Sequence, residues 1–218
     1  MKKFFLFAAA VATALTVNAQ QITFAEGDAA GAGATFGSNG FILTITADDD
    51  SKTAVDANNC YFGDAETQVK YTARLKTGGK SAAKNAMKLT IPAAGKLYVF
   101  ARTGSNSATD RNVAFAQFGA EILNHTLLES EAIQVKGLDS ADPDKETNVY
   151  PVLSCDVQAG DVEITYPVGS VNFYAFEFVS SQGIDNTNAA VKVEKFYRDG
   201  QLIIRKNGVE YNALGVKL

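Results

Sequence analysis

Between Ala86 and Val179 short apolar-rich runs alternate with turn residues: AMKLTI, then PAAG; KLYVFAR, then a polar loop; NVAFAQF, then GA; EILNHTLL, then an acidic loop; VYPVLSCDV, then QAGD; VEITYPV, then GS; and VNFYAFEFV. Short runs with such regular punctuation predict an all-β chain folded as an antiparallel, jelly-roll-like β-sandwich. Upstream, QITFA (Gln21 to Ala25) and FILTIT (Phe41 to Thr46) read as strands, the second β-branched nearly throughout. The Gly- and Ala-rich segment Glu26 to Gly40 is expected to be a loop or an irregular edge. Asp48 to Ala65 reads as a long polar loop holding Asn58, Asn59, Tyr61 and Phe62.

Thr67 to Lys76 alternates cleanly. Val69, Tyr71, Ala73 and Leu75 share one face, and Gln68, Lys70, Thr72, Arg74 and Lys76 the other, because side chains two apart lie on the same side of a strand. Thr77 to Lys84 is a turn around Gly78-Gly79. Thr103 to Asp110 is a polar loop and Leu138 to Thr147 an acidic one, both rich in turn-forming residues. No stretch holds a helical period of useful length, so any helix is expected to be short.

From Ser180 the pattern changes. SSQGIDNTNAA (180–190) has few large apolar residues and reads as a linker. Residues 191–218 then read as two hairpins turning at Asp199-Gly200 and Asn207-Gly208, pairs that accept the positive φ a two-residue hairpin turn requires. So short a piece buries little core and is marginal alone. The sandwich is therefore assigned to 20–179.

Composition fits a globular chain, with 46% hydrophobic and 20% charged residues. Residues 1–19 read as a secretory signal peptide: Lys2 and Lys3, an apolar run from Phe4 to Val17, and a Val17-Asn18-Ala19 cleavage site. The formal net charge is −4, and loss of the two leader lysines makes it −6. A mildly acidic protein is not drawn to nucleic acid or anionic lipid by its overall field. On the strength of the leader the protein is expected to be secreted or held at the cell surface, and no run beyond it is long and apolar enough to span a bilayer.

Little in the chain suggests catalysis or metal binding. The single histidine, His125, has no nucleophile motif beside it. Asp139, Asp142, Asp144 and Glu146 lack the spacing of a calcium loop, and they read as solvated, as does the run Asp48 to Asp50. No cofactor or metal is expected. Cys60 and Cys155 either form a disulfide, which export permits, or stay as two buried thiols.

Two resemblances add to this. The run Ala94 to Ser105 (AGKLYVFARTGS) resembles the middle of galactose-binding-like carbohydrate-binding β-sandwich modules: a glycine turn, a tyrosine-containing strand, an arginine and a small polar loop. Val157 to Ile164 (VQAGDVEI) resembles their late hairpin, and Gly169 to Tyr174 (GSVNFY) their closing strand, where an asparagine often meets the sugar. The resemblance covers roughly half of the mature chain. This chain departs from it in having no tryptophan, and in having Phe173 and Tyr174 where an acid of the family's calcium site would stand, so that site is not carried over. Second, residues 191–218, with DGQLIIRKNG and the closing YNALGVKL, resemble the C-terminal sorting domains of exported Bacteroidetes proteins, though shorter. That implies a contact with the outer-membrane secretion machinery.

These readings converge on a non-catalytic, secreted or surface-associated accessory protein that binds a polysaccharide or other glycan. The alternative is a structural or adhesive surface sandwich with no sugar site. Sugars require planar amide, carboxylate and guanidinium groups for paired hydroxyls, and an aromatic face for their C–H surface. The residues expected to supply these are Tyr61, Arg102, Asn106, Asp110, Arg111 and Asn172.

Overall fold

A computed structural model describes residues 19–46, 53–80 and 87–181 in full, and the backbone of 193–198, 201–206 and 209–212. The expected leader lies outside the described residues up to Asn18, as do 182–190 of the expected linker and the two tail turns. The chain divides into two compact units, Met1–Gln182 and Gly183–Leu218. In the first unit the strands are β1 (Ala19–Thr23), β2 (Thr35–Ser38), β3 (Phe41–Ile45), β4 (Ala54–Gly63), β5 (Gln68–Lys76), β6 (Met87–Ile91) and β7 (Gly95–Thr103). They continue as β8 (Arg111–Gln117), β9 (Ala120–Leu127), β10 (Ile133–Val135), β11 (Thr147–Tyr150), β12 (Leu153–Val157), β13 (Gly160–Thr165) and β14 (Val171–Ser180), with one 3-10 turn at Glu129–Glu131. The second unit is a three-stranded antiparallel sheet of β15 (Val193–Arg198), β16 (Gln201–Lys206) and β17 (Val209–Asn212). No helix among the described residues is long and apolar enough to cross a membrane.

The first unit is the sandwich that the alternation predicts. One sheet runs β2-β3-β6-β13-β8-β9; the other runs β10-β11-β4-β5-β14-β7-β12, with β1 also paired to β14. Every second residue faces the space between them. Phe41, Leu43, Ile45, Met87, Leu89, Val113, Phe115, Val162 and Ile164 come from the first sheet; Ile22, Leu75, Leu97, Val99, Phe173, Phe176 and Phe178 come from the second.

The larger sheet is rolled. Tyr150 ends β11 and Leu153 begins β12, yet β4, β5, β14 and β7 lie between these strands in the sheet. Laid flat, five strand spacings would separate them by about 24 Å, whereas three residue steps reach at most about 11 Å. The β11 side must therefore curl over the outer face of β7 and β14. Inside the curl lies a second core of Cys60, Phe62, Tyr71, Phe100, Tyr150, Tyr174 and Ala175.

Two irregularities permit the roll. β5 pairs with β14 at Phe173↔Leu75 and then leaves it, and β1 takes over from Ala175↔Thr23. At that point Tyr174 is an extra residue in β14 against β7, and β4 bulges against β5 between Ala57 and Cys60. A bulge bends its strand and increases local twist. As a result Ala73 and Leu75 of β5 face the sandwich core, while Tyr71 on the same face packs in the second core.

Two expectations are corrected here, and of the two alternatives left open for the cysteines the structure shows one. The segment 54–63 is a strand, not part of a loop, and Tyr61 stands on it. The run VYPVLSCDV is two strands, interrupted at Pro151 and Val152. Cys60 and Cys155 are free and buried, with no disulfide between them, because Cys60 points into the curl and Cys155 into the sandwich core on the other face of the sheet. Burial disfavours both thiolates and pushes each thiol up to about 11.

Candidate functional site

One end of the sandwich gathers the C-terminal ends of β5, β7 and β13 and the starts of β8 and β14. Backbone bonds lace the connections together: Gly104 donates to the Ser170 carbonyl (2.9 Å), and Thr77 both donates to the Val171 carbonyl (3.2 Å) and accepts from the Val171 amide through Oγ1 (3.0 Å). Gly169 lies against the Arg111 guanidinium, where an added Cβ would come within 2.5 Å of Cζ. This rim has little freedom to shift.

Arg102 is its hub. Alternation on β7 sends Leu97, Val99 and Ala101 into the sandwich core and Arg102 to the outer face. Its guanidinium stacks over the Tyr150 ring at 4.8 Å, donates to Asn106 Oδ1 at 2.7 Å and pairs with Glu129 Oε2 at 3.3 Å. The other Glu129 oxygen accepts from the Tyr150 hydroxyl and from Asn148 Nδ2 at 3.3 Å. Burial, then the bond to Glu129, raise the Tyr150 hydroxyl above the ordinary phenol range, so it stays a donor. A guanidinium, two amides and a carboxylate are thus held in fixed mutual orientation around one aromatic ring.

A second polar group lies on the same outer face. Asp56 pairs with Arg74 (2.7 Å) and Lys76 (3.1 Å), and the bond from Arg74 does most to lower its carboxyl below the usual range. Lys76 and Arg102 flank Asn172 in register on either side.

The sequence-expected residues divide. Arg102 and Asn106 are in direct contact, Asp110 pairs with the neighbouring Arg111 at 3.1 Å, and Asn172 lies next to Arg102. Asn172, however, is only 4% exposed and donates to the Thr103 carbonyl at 3.3 Å, so it braces the rim from below. Tyr61 does not join these residues. Its hydroxyl donates to the Leu138 carbonyl (3.0 Å), and the Lys70 ammonium sits 5.6 Å from its ring centre. Glu129, Asn148 and Tyr150, which complete the hub, escape a reading of the sequence. They arrive on the segment between β9 and β12, and no local pattern announces that this segment folds back onto β7.

Among the described residues no three His, Cys, Asp or Glu side chains converge as metal ligands. Asp139 is paired with Lys145 at 3.0 Å. His125 Nε2 lies 2.9 Å from Glu131, a carboxylate that also accepts from the Leu128 amide at 3.1 Å.

No protein-family model matches the chain, and no curated protein matches it. Similar solved structures include a chain from work on expanded glycan recognition in the Ruminococcus flavefaciens cellulosome, 14% identical with a TM-score of 0.38, covering 78% of this chain and 99% of that one. They also include the catalytic domain of a GH87 α-1,3-glucanase in complex with nigerose, 10% identical with a TM-score of 0.32, covering 71% of this chain and 31% of that one.

Proposed function

We propose that this chain is a non-catalytic glycan-binding accessory protein, secreted or surface-associated, and that it contacts its ligand through the rim around Arg102. The observation that supports this is the preorganised set of Arg102, Asn106, Glu129 and Asn148 about the Tyr150 ring. Planar groups already locked by one another lose little freedom when a sugar's paired hydroxyls arrive. The proposal extends to the tail, residues 191–218, as a contact for outer-membrane secretion.

Such a site is shallow and wet. A few hydrogen bonds netting about 0.5–1.5 kcal/mol each imply affinities in the micromolar to millimolar range. Calorimetry of the full chain against plant and host polysaccharides tests this. Binding to at least one, weakened in Asn106→Ala and Arg102→Ala while circular dichroism stays unchanged, is the expected result. A competing reading, a structural sandwich with no sugar site, draws on the burial of Asn172 and on the complement of bonds Arg102 already makes within the protein. Well-folded protein that binds nothing on a broad panel would establish that reading instead.

A further inference from the structure

The outer face of the larger sheet carries a row of polar side chains away from the rim. Glu177 stands between Phe176 and Phe178 on β14, and Tyr98 between Leu97 and Val99 on β7; those neighbours face the sandwich core. Alternation turns Glu177 and Tyr98 outward, with Gln21 of β1 and Ser154 of β12 beside them. The row is in register across the sheet: Gln21 pairs with Glu177, Glu177 with Tyr98, and Tyr98 with Ser154. At one strand spacing per step it is about 14 Å long.

Glu177 is the unusual member. It is half-buried, and burial alone lifts its pKa above the ordinary carboxylate value, because no cation and no hydrogen bond offsets the lost hydration. Its charge reaches the Tyr71 hydroxyl and adds to burial in raising it. Lys96, the next outward residue on β7, is paired with Asp156 at 3.7 Å. Gln21 donates through Nε2 to the Tyr71 hydroxyl at 3.0 Å, which fixes the amide and leaves Oε1 unbonded. The side chains of Glu177, Tyr98 and Ser154 make no hydrogen bond among the described residues. The rim is the reverse case, with its groups bonded to one another. A carboxylate taken part-way out of water is ordinarily paired.

We infer that this row is a second binding site, separate from the rim, for an amino sugar whose ammonium group pairs with Glu177 while its hydroxyls meet Gln21 and Ser154. Charge complementarity argues for the ammonium. Neutral hydroxyls would leave the half-buried carboxylate without a counter-charge; an ammonium supplies one and is also attracted to the neighbouring Tyr98 ring. A metal ion takes several oxygen ligands, and Glu177 is the one acid in the row. A lysine side chain brings its ammonium on an apolar stem and offers nothing to Gln21 and Ser154. An amino sugar carries the ammonium and hydroxyls on one ring, and linked rings fill a row of this length.

The test is calorimetry of the full chain at about pH 6 with a glucosamine tetramer, its N-acetylated counterpart and a lysine tetrapeptide. The glucosamine tetramer should bind about tenfold or more tightly than either of the others. Glu177→Gln keeps the shape of the side chain and removes its charge, and it should weaken that binding by about tenfold or more with circular dichroism unchanged. Glu163→Gln removes the same charge from the outer face of the other sheet and should leave binding as it was. Equal losses in the two variants would mean diffuse attraction to an acidic protein and overturn the inference. Undiminished binding by Glu177→Gln, equal binding of the acetylated tetramer, or no binding of the glucosamine tetramer by the wild type overturns it as well. Equal binding of the lysine peptide also does so, assigning Glu177 to a protein partner. Asn106→Ala should bind the tetramer as the wild type does; a loss there assigns the amino sugar to the rim and removes this site.

Discussion

The Tyr174 hydroxyl donates to Asn58 Oδ1 at 2.5 Å, and each residue stands where its strand has gained a residue. The bond thus joins the bulge of β14 to the bulge of β4, across the place where β5 parts from β14. Burial raises the Tyr174 hydroxyl above the ordinary phenol range, so it is a permanent donor. Tyr174→Phe removes the donor and leaves the amide oxygen unpaired. It should cost about 1–2 kcal/mol, read as a lower urea midpoint with an unchanged slope. An unchanged midpoint would mean that aromatic packing alone holds the two bulges together.

Glu177 makes a pH-dependent prediction. It lies half-buried on β14 between Gln21 and Tyr98, and burial raises its pKa. The folded state therefore prefers the protonated acid. The stability this gives is present below the ordinary carboxylate range and is lost as the pH rises through the raised folded value. Glu177→Gln should raise the melting temperature at about pH 7 and leave it unchanged at about pH 3. Asp56 acts in the opposite sense: its lowered pKa supplies stability above the ordinary range, lost as the pH falls through the folded value. Asp56→Asn should lower the melting temperature at neutral pH and have no effect in strong acid.

The thiols make a third. Cys60 and Cys155 are free, buried, and raised to about 11. Native protein should alkylate slowly at mildly alkaline pH. Both thiols should react at once in guanidinium without reductant, seen as two adducts in the intact mass. A mass that gains adducts only after reduction would mean a disulfide joins them.

Phe118, in the β8–β9 turn, has φ of +52° with its ring against Gly160, and Phe118→Asn should also stabilise the fold. Relieving a bulky side chain at positive φ is worth about 1 kcal/mol, visible as a higher melting temperature. A drop would show that the ring contributes more by resting on Gly160 than its backbone costs.

The sequence shows which side chains share a face and shows much less about which strands are neighbours. Thr67 to Lys76 reads correctly as a half-buried strand because its alternation is unbroken. The segment 54–63 misleads, because Asn58 and Asn59 disfavour strands and the bulge there interrupts the alternation. Arg102 and Asn106 are legible as a pair, being four residues apart on a strand and the loop that follows. Glu129 and Tyr150 are not, since their place beside Arg102 depends on a sheet that curls, and the curl follows from two bulges and a two-residue link between distant strands. Which of the two cysteine alternatives holds is illegible for the same reason: Cys60 and Cys155 stand on one sheet and face opposite ways, which an even count does not reveal.

The pairing of β1 with β14 bears on how the protein is made. A ribosome delivers Ala19–Thr23 long before Val171–Ser180, the strand that receives them. At about 5–20 residues per second, the opening strand waits on the order of ten seconds for its partner to exist. Throughout that interval a strand edge with unsatisfied amides is on offer to any other chain nearby. The unit therefore closes only after its last strand has emerged, and whatever carries the nascent chain must keep its beginning unpaired until then.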